Sequence, residues 1–423
     1  MPTRTTGTQS EDTDIDESPQ RSQSTWGLVA GASLISTGLA AYEIVPASVT
    51  PLIRDSLQIG PTVAGFLVGV MFGTAVITSL PAGAVLDRTN TRTAIAAAVG
   101  TLFLAGLWGW LAGRRGEYRG VVASRAVGGV AYVVVWNAGI DIVSRASDPA
   151  RRATAVGVFT ASGPVGFAIG QGMGPLVAAW FGWPAIFVAF NGIALVGLAV
   201  FWPASRGLGE HGGNAPSLGD FGSVFRTKSV WLAFLGYALY LFVNSWGASF
   251  LTQEIGLSLE RSGTLVAVFP AVGILARMSS GALSDRLFDG RRRPVVLASF
   301  LVAAPLVAGL PSLRSVGVLV VLLLVSGFAI QLTLGLSFTY VRELVEPQVA
   351  ATAVAFLTSV GLAGAFVAPI AGGAIVDAAG FDVAFLVAGG LAVLGVVLAW
   401  RAPEPDGASA ATDTPTQPSE THR

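Results

Sequence analysis

The chain of 423 residues contains no cysteine and only two histidines, His211 and His422. The absence of cysteine excludes disulfides, thiolate metal sites and cysteine-based catalysis. Two histidines, one in a polar stretch and one near the C-terminal end, do not supply a zinc centre. The sequence also lacks a phosphate-binding glycine loop followed by lysine, and it lacks a serine–histidine–aspartate set within its apolar segments. We therefore expect no cofactor, no bound metal and no enzymatic activity.

Charged residues are scarce, at 12% of the chain with a formal net charge of zero, whereas soluble domains carry about 25%. This balance gives no bulk attraction to nucleic acid, which we do not expect as a partner. Instead, 52% of the residues are hydrophobic, and apolar runs of about 20 residues, enough to cross a hydrocarbon core of about 30 Å, recur along the chain. Backbone groups in lipid must bond within their own segment, and no run alternates like a barrel strand. The sequence therefore predicts an all-α integral membrane protein embedded in a lipid bilayer.

Twelve membrane-spanning segments are predicted, in two sets of six. The first set forms an N-terminal six-helix bundle within residues 25–202, and the second forms a C-terminal bundle within residues 229–402. Residues 203–228 read as a polar, glycine-rich linker, and residues 1–24 and 403–423 have the composition of disordered tails. The predicted segments are Trp26–Val49, Pro61–Leu86, Thr93–Ala112, Gly120–Ser144, Ala153–Ala179, Trp183–Trp202, Ser229–Leu251, Arg261–Leu287, Pro294–Leu310, Ser315–Tyr340, Ala350–Val376 and Asp382–Trp400.

The two sets repeat each other at a constant offset of 198 positions. Gly-Ala-Val-Leu-Asp-Arg at 83–88 corresponds to Gly-Ala-Leu-Ser-Asp-Arg at 281–286, and Ala-Thr-Ala-Val at 153–156 recurs at 351–354. Trp202 corresponds to Trp400 at the same offset. Duplicated halves in a membrane protein indicate two bundles related by a pseudo-twofold axis, with alternating access to a site between them.

Basic residues in the short loops concentrate on the side that carries both termini, as at Arg88, Arg145, Arg286 and Arg292. The positive-inside rule makes that side cytoplasmic. We expect a multi-pass protein of the cell membrane with both termini in the cytoplasm.

The loop that follows the second segment carries the most specific motif. Gly83, Asp87, Arg88 and Arg92 occupy the pattern of the loop between helices 2 and 3 of the major facilitator superfamily, which this loop resembles. Asn90 stands where that pattern has its second glycine, and asparagine tolerates a left-handed backbone. The second half repeats the motif with Gly281, Asp285 and Arg286.

The resemblance covers residues 26–402 and implies secondary active transport by two six-helix bundles around a central cavity. It also implies that the two loops form a cytoplasmic gate shared by the halves. An ordinary solvated turn is the alternative for such a loop. No substrate is implied by these motifs.

Arg125 opens a run of arginine and small residues that resembles a second superfamily motif. An arginine within a span costs about 2.5–3.5 kcal/mol on insertion scales, so it faces a cavity or a partner. Glu43 lies six residues before the end of its segment and Arg125 five residues after the start of its own, which places them at matched depth. In proton-coupled members a helix-1 acid and this arginine are often implicated in coupling, so we expect Glu43 to carry the proton and Arg125 to tune it. A purely structural pair, or a glutamate that snorkels to the interface, is the alternative.

Arg277 is a further charge inside the membrane, eight residues before Asp285 and hence about 12 Å along the same helix. It resembles the anion-binding arginine of some carboxylate and oxyanion carriers, because its planar fork binds such groups bidentately. A scaffold role in the cytoplasmic gate is the alternative. Glu43, Arg125 and Arg277 correspond in the other half to uncharged residues, which favours a role with a particular cargo; those residues are Leu241, Leu323 and Ser79.

The remaining candidates are uncharged or locally paired. Amides at membrane depth could contact substrate or join helices, and they are Asn137, Asn244 and Gln331. Asp141 is expected to pair with Arg145 four residues later.

The fifth segment carries small residues at intervals of four on one face, which is typical of close helix packing; these are Gly166, Gly170 and Gly174. Together with Pro175 they resemble the helix-5 antiporter motif. Ala178 and Ala179 replace its last two glycines, so the motif is only partly matched.

These features predict secondary active transport of a small molecule, coupled to protons (or sodium). If Glu43 neutralises Arg125, the charge left in the cavity is that of Arg277, which favours a small organic or inorganic anion. Proton-coupled efflux of drugs or other hydrophobic compounds is the alternative, and a non-transporting membrane sensor is a more remote one. We expect a monomer.

Overall fold

The structure, a computed structural model, describes residues 17–86, 88–206, 228–345 and 350–404. In these ranges the chain is helical and forms no strand. The α-helices are α1 (Glu17–Ser48), α2 (Thr50–Leu57), α3 (Pro61–Leu86), α4 (Thr91–Arg114), α5 (Tyr118–Ala146), α6 (Arg152–Phe181), α7 (Ile186–Ala204), α8 (Lys228–Gln253), α9 (Leu259–Ala271), α10 (Gly273–Leu287), α11 (Arg293–Gly309), α12 (Val316–Glu343) and α13 (Ala350–Trp400).

Most predicted segments agree with the helices within a few residues, because an apolar run in lipid has no alternative to a helix. The first segment differs, since α1 begins at Glu17 rather than at Trp26. Residues 17–24, predicted as part of a disordered tail, are therefore helical. Helix α2 was not predicted, because it is short and carries Arg54 and Asp55 within an eight-residue stretch.

The predicted eighth segment is interrupted. Helix α9 ends at Ala271 and α10 begins at Gly273, one residue apart, directly after Pro270. Proline has no N–H and its ring clashes with the carbonyl four residues earlier, so it breaks or kinks the helix. By length and hydropathy, Leu259–Leu287 still counts as a single membrane span.

Eleven helical stretches in the described part of the chain are long and apolar enough to cross a membrane. The last of them, Ala353–Trp400, is 48 residues long. Within α13, Gly380 has φ 82° and ψ 177°, which is not helical. The predicted eleventh and twelfth segments therefore appear as one stretch with a break between them.

Helix contacts join neighbours within each half and also connect the halves. Helix α1 packs on α6 and α7, and α8 packs on α13; between the halves, α3 packs on α13 and α6 on α9. One cluster of buried apolar side chains belongs to α1–α7. A second is centred on α8–α13 but includes Ile44, Phe72 and Phe167 of the first half, so the halves share a core.

The two ends of the bundle differ in how closely the halves meet. We call the end with the loops after α3 and α10 the loop end, and the opposite end the far end. Toward the far end, Gly65 lies against the carbonyl of Pro369, and a Cβ on Gly373 would lie 2.5 Å from the carbonyl oxygen of Pro61. At the loop end, a Cβ on Gly83 or Gly281 would meet no described atom within 4 Å.

Candidate functional site

A cavity of about 60 Å³ lies between the two halves. Its walls come from α1, α3, α5 and α6 on one side and from α8, α10 and α13 on the other. Two ionisable side chains of opposite sign line it, Glu43 and Arg277. A larger hollow of about 390 Å³ lies at the far end beside α2, but its lining holds no aromatic residue and comes mainly from that one short stretch. We therefore centre the site on the cavity between the halves.

Glu43 belongs to the buried face of α1. Leu39 and Ala40, four and three residues earlier, line the same cavity and place Glu43 on that face. The residue is 3% exposed, and its Oε1 has no hydrogen-bond partner in the described part of the chain. A buried polar oxygen without a donor is costly, so this atom is ready to accept a bond from something that enters the cavity.

Arg125 is completely buried, and main-chain carbonyls occupy its guanidinium. Its Nε donates to the carbonyl of Leu67 at 3.0 Å, its Nη1 to that of Tyr42 at 2.8 Å, and its Nη2 to those of Glu43 and Val68 at 2.6 and 3.2 Å. The arginine therefore ties α5 to α1 and α3.

The expectation that Arg125 pairs with the Glu43 carboxylate is wrong for this structure. Matched depth does bring the two residues together, but the contact is with the Glu43 carbonyl, and no side-chain ion pair joins them among the described residues. Part of the physical reason is Pro46 inside α1. Because proline has no N–H, the Tyr42 carbonyl four residues earlier lacks its helical donor, and Arg125 supplies one.

Arg277 extends from α10 into the cavity. Its Nε is buried and has no hydrogen-bond partner in the described ranges, and no acidic side chain there lies within ion-pair distance. Arg125 is thus satisfied by the fold, whereas Arg277 lines the cavity and retains a donor without a partner among the described residues.

Aromatic side chains form much of the remaining wall, and sequence reasoning missed them. The rings of Tyr132 and Trp136 on α5 are parallel within 4°, with centroids 6.4 Å apart. Phe167 of the first half stacks on Tyr240 of the second at 5.4 Å, and the Tyr240 hydroxyl is buried without a described partner. The full aromatic set is Phe72, Tyr132, Trp136, Phe167, Tyr237 and Tyr240. Three of the six tyrosines in the chain are in this set, two of them at helical spacing on α8, which was a usable signal.

The three candidate amides do not line the cavity. Asn137 is exposed on α5. Asn244 donates to the Tyr240 carbonyl at 2.8 Å, and its own carbonyl accepts from Gln171 of the first half at 2.6 Å. Gln331 donates to the carbonyls of Phe269 and Pro270 at 3.1 and 3.2 Å, beside the break between α9 and α10. The Asn244 side chain therefore bonds within its own helix, whereas the Gln331 side chain links two helices.

The first motif loop is only partly described, since Asp87 lies outside the described residues. Arg88 is exposed. Arg92 lies over the Trp202 ring, with 3.7 Å between the guanidinium carbon and the ring centroid, and donates to the Trp202 carbonyl at 2.9 Å. Asn90 is extended, with φ −61°, and its side chain caps α4 by accepting from the Arg92 N–H. The left-handed backbone suggested for Asn90 is therefore wrong.

The second motif loop holds an ion-pair network within its own half. Arg292 contacts Asp285 at 2.7 Å and Glu343 at 2.9 Å, and its main-chain N–H donates to Glu404 at 3.3 Å. Hydrogen bonding to Glu343 raises the pKa of the Arg292 guanidinium. Arg286 is exposed. Each ion pair described at this end joins residues of a single half, so among the described residues no ion pair connects the two halves here.

The glycines of the fifth segment lie against α1. A Cβ on Gly170 would lie 2.8 Å from the Ala41 carbonyl oxygen, Gly166 lies against Thr37, and Gly174 lies against Ser48. Pro175 instead meets Gly263 of the other half. The expected pair of Asp141 and Arg145 is present.

Comparison with known proteins identifies the family. The family model described as Major Facilitator Superfamily matches residues 28–361 and 248–421. The chain is 26% identical over 275 residues to the hexuronate transporter of Bacillus subtilis (strain 168). This alignment covers 58% of this chain and 64% of that protein. It is 25% identical over 356 residues to the 3-(3-hydroxy-phenyl)propionate transporter of Escherichia coli (strain K12). That alignment covers 82% of this chain and 83% of that protein.

A third relative is the cis,cis-muconate transport protein of Acinetobacter baylyi (strain ATCC 33305 / BD413 / ADP1), 26% identical over 56% of this chain and 61% of that one. For the hexuronate and muconate proteins, the match thus spans less than two thirds of their length. Among solved structures, a bacterial homolog of the human lysosomal transporter Spinster, in an inward-facing and occupied conformation, has a TM-score of 0.73 at 17% identity and covers 93% of this chain and 97% of that one. The resemblance seen in the sequence is confirmed: the chain belongs to the major facilitator superfamily and is a multi-pass membrane protein.

Proposed function

We propose that the protein is a secondary active transporter of a small organic anion, with the cavity between the halves as its binding site. One observation carries the proposal: Glu43 and Arg277, from opposite halves, line the same cavity, and each has a buried polar atom without a described partner. The relatives named for hexuronate, cis,cis-muconate and 3-(3-hydroxy-phenyl)propionate are all named for organic acids, which supports an anion.

Arg277 is proposed to bind the carboxylate of the cargo. Its guanidinium presents donors in a planar fork that matches a carboxylate. Because the described residues leave its Nε unpartnered, an incoming anion would supply the missing bond. A bond made in a water-poor site is stronger than the same bond in bulk water.

Glu43 is proposed to carry the coupling proton. Arg125 is occupied by main-chain carbonyls, so the Glu43 carboxylate remains available to water and cargo in the cavity. A charge in such a site must be paired or neutralised, and a proton or a donor on the cargo can do either. Proton exchange at Glu43 would then depend on whether the cavity is occupied. Sodium is the competing coupling ion.

The architecture that we propose for transport is two six-helix bundles related by a pseudo-twofold axis. A helix of 48 residues would be about 72 Å long, more than twice the hydrocarbon core, so the break at Gly380 is taken as the turn between two spans. At the 198-residue offset, the packing of α3 on α13 corresponds to that of α9 on α6, as such an axis requires. Close packing at the far end and open glycines at the loop end indicate a cavity that communicates with the loop end.

The motif residues are proposed to form the gate that closes the loop end in the other conformation. They are Gly83, Asp87, Arg88, Arg92, Gly281, Asp285 and Arg286. The basic loops support the proposal that this end faces the cytoplasm at the cell membrane, with both termini on that side. We propose that a monomer is sufficient for transport.

Reconstitution into liposomes tests the function. Purified protein is assayed for uptake of glucuronate, cis,cis-muconate and 3-(3-hydroxyphenyl)propionate, with either a proton or a sodium gradient imposed. We expect saturable uptake of at least one acid, accompanied by substrate-dependent proton movement. Uptake driven only by sodium would overturn the role of Glu43 as a proton carrier, and flux of a cationic dye without any anion flux would favour efflux of hydrophobic compounds.

A further inference from the structure

The lining of the cavity favours one chemical class of organic anion. This inference rests on the proposed function and specifies its substrate. We propose that the cargo is a hydroxylated aromatic monocarboxylate with a single ring. Its carboxylate binds Arg277, its ring lies among the aromatic side chains, and its hydroxyl donates to Glu43.

The two polar ends of the site require a ligand with two different ends. Arg277 offers a donor at Nε, and Glu43 offers an acceptor at Oε1. Although both line one cavity, no ion pair joins them in the ranges that the structure describes. A ligand that satisfies both must present an acceptor to the arginine and a donor to the glutamate. The unpartnered Tyr240 hydroxyl can bond to either end of it.

Between its two charged residues the site is lined mainly by aromatic and aliphatic side chains, with Ser36 and the tyrosine hydroxyls as its other polar groups. The parallel rings of Tyr132 and Trp136 come from the first half, and the stack of Phe167 on Tyr240 crosses to the second. Aromatic rings gain from offset or edge contacts with another ring beyond the area that they bury. A sugar acid carries a hydroxyl on most of its carbons and would press several of them against Leu39, Leu241, Leu362 and the ring faces. Burying hydroxyls without partners is costly, so the walls favour a ring.

The size of the cavity limits the cargo to one ring. Its volume is about 60 Å³, whereas a cavity of about 150 Å³ accommodates benzene. A ring therefore enters only if side chains move. Tyr132, Trp136 and Tyr237 keep partial exposure and can rotate, whereas Phe72 and Phe167 are buried and cannot yield as easily. Rotation of these three side chains would enlarge the cavity, and its small starting volume favours a single ring over a fused system.

Binding measurements test the inference separately from transport. Radiolabelled 3-(3-hydroxyphenyl)propionate is bound to the purified full chain and displaced by 3-phenylpropionate, which lacks only the hydroxyl, and by glucuronate. A hydrogen bond to a charged group corresponds to a factor of about ten or more in affinity. We expect the hydroxylated acid to bind at least about tenfold more tightly than 3-phenylpropionate, and glucuronate to bind more weakly than both.

Variants assign the two ends. Glu43→Leu introduces the residue found at the equivalent position of the second half, Leu241. It should reduce the affinity ratio between the hydroxylated acid and 3-phenylpropionate from about ten to about one, without weakening the binding of 3-phenylpropionate. Should that variant fail to fold, Tyr240→Phe removes a hydroxyl alone and should weaken the hydroxylated acid by about threefold or more. Trp136→Leu should weaken both ring acids, and Trp180→Leu, at an exposed tryptophan outside the cavity, should weaken neither.

The outcomes separate the two proposals. If glucuronate binds and is transported while the ring acids are ignored, the aromatic inference is overturned and anion transport stands. Equal affinities for the two ring acids would overturn the contact between the cargo hydroxyl and Glu43. If none of the acids is bound or transported, the proposed function itself fails.

Discussion

Arg125 and Arg277 show at the scale of single residues how the same side chain can serve structure or binding. Four main-chain carbonyls surround the Arg125 guanidinium, which leaves it little capacity for cargo. Arg277 has a buried Nε without a described partner. A charge buried in a fold is tolerated when its donors are used, and an unused donor marks a position where something else binds. The two arginines should therefore respond differently to the same substitution.

Replacing Arg125 with methionine should destabilise the protein. Methionine fills similar space but leaves these carbonyls without a hydrogen-bond donor. One of them is the Tyr42 carbonyl, to which Pro46 cannot donate because it has no N–H. A buried polar group left unsatisfied costs about 1–3 kcal/mol, so we expect a loss of about 3 kcal/mol or more from the set. Thermal unfolding in detergent measures it, with Arg261→Met at an exposed arginine as the matched control. An unchanged midpoint in Arg125→Met would show that these carbonyl bonds do not hold the helices.

Replacing Arg277 with lysine should leave stability unchanged and impair binding. Lysine keeps the charge but loses the planar fork, so the carboxylate loses one of two parallel hydrogen bonds. We expect KM for the transported anion to rise by about tenfold or more, with a larger loss in Arg277→Met. Uptake kinetics in liposomes provide the measurement. A lysine variant with wild-type KM would argue that Arg277 acts as a general positive charge or as part of the scaffold.

At the scale of helices, the break between α9 and α10 depends on a side chain from a third helix. Pro270 ends the regular hydrogen bonding of α9, and Gln331 of α12 donates to the carbonyls of Phe269 and Pro270. Broken helices persist in lipid only where neighbouring groups satisfy the freed carbonyls. The amide expected to contact cargo thus donates to two carbonyls at the break instead.

A double-mutant cycle tests this link. Gln331→Leu alone should destabilise the protein by about 1–3 kcal/mol, because two buried carbonyls lose their donor. In a protein that already carries Pro270→Ala, the helix can continue through the break, and its own N–H groups can bond to these carbonyls. Gln331→Leu should then reduce the free energy of unfolding by clearly less. The unfolding midpoints of the four proteins give the coupling, which for contacting groups is about 0.5–3 kcal/mol. Additive effects would mean that Gln331 acts independently of the break.

The sequence predicts where these helices lie better than what their side chains touch. Apolar length alone locates α3 at Pro61–Leu86, since lipid permits few alternatives. The carbonyl bonds of Arg125 could not be foreseen in the same way, because they require both a proline in α1 and the register of α3 against α5. The aromatic wall likewise depends on which face of α5 and α8 turns inward, and helices that are apolar all round do not reveal that face.

At the scale of the whole molecule, the unequal ends imply a second conformation. Toward the far end, α3 and α13 meet through glycines that leave no room for a Cβ, whereas the two motif glycines at the loop end face no atom of the described residues within 4 Å. A transporter that exposes its cavity alternately must reverse this difference. A Cβ on Gly83 or Gly281 would meet no atom of the described residues within 4 Å, and we expect close neighbours when the loop end closes.

Opening of the far end and closing of the loop end can be measured with introduced cysteines. The chain has no native cysteine, so only the introduced thiols would react. A Cβ on Gly60 would lie 3.6 Å from Asp377 Oδ2 across the halves, so the double variant Gly60→Cys/Asp377→Cys should crosslink with a short thiol reagent and lose uptake, regained on reduction. Single variants Gly83→Cys and Gly281→Cys should react with an impermeant maleimide only from the cytoplasmic side, and more slowly when a transported anion shifts the population towards the closed loop end. Crosslinked protein that still transports at the normal rate would mean that the far end does not open during the cycle, and labelling from the outside would reverse the proposed orientation.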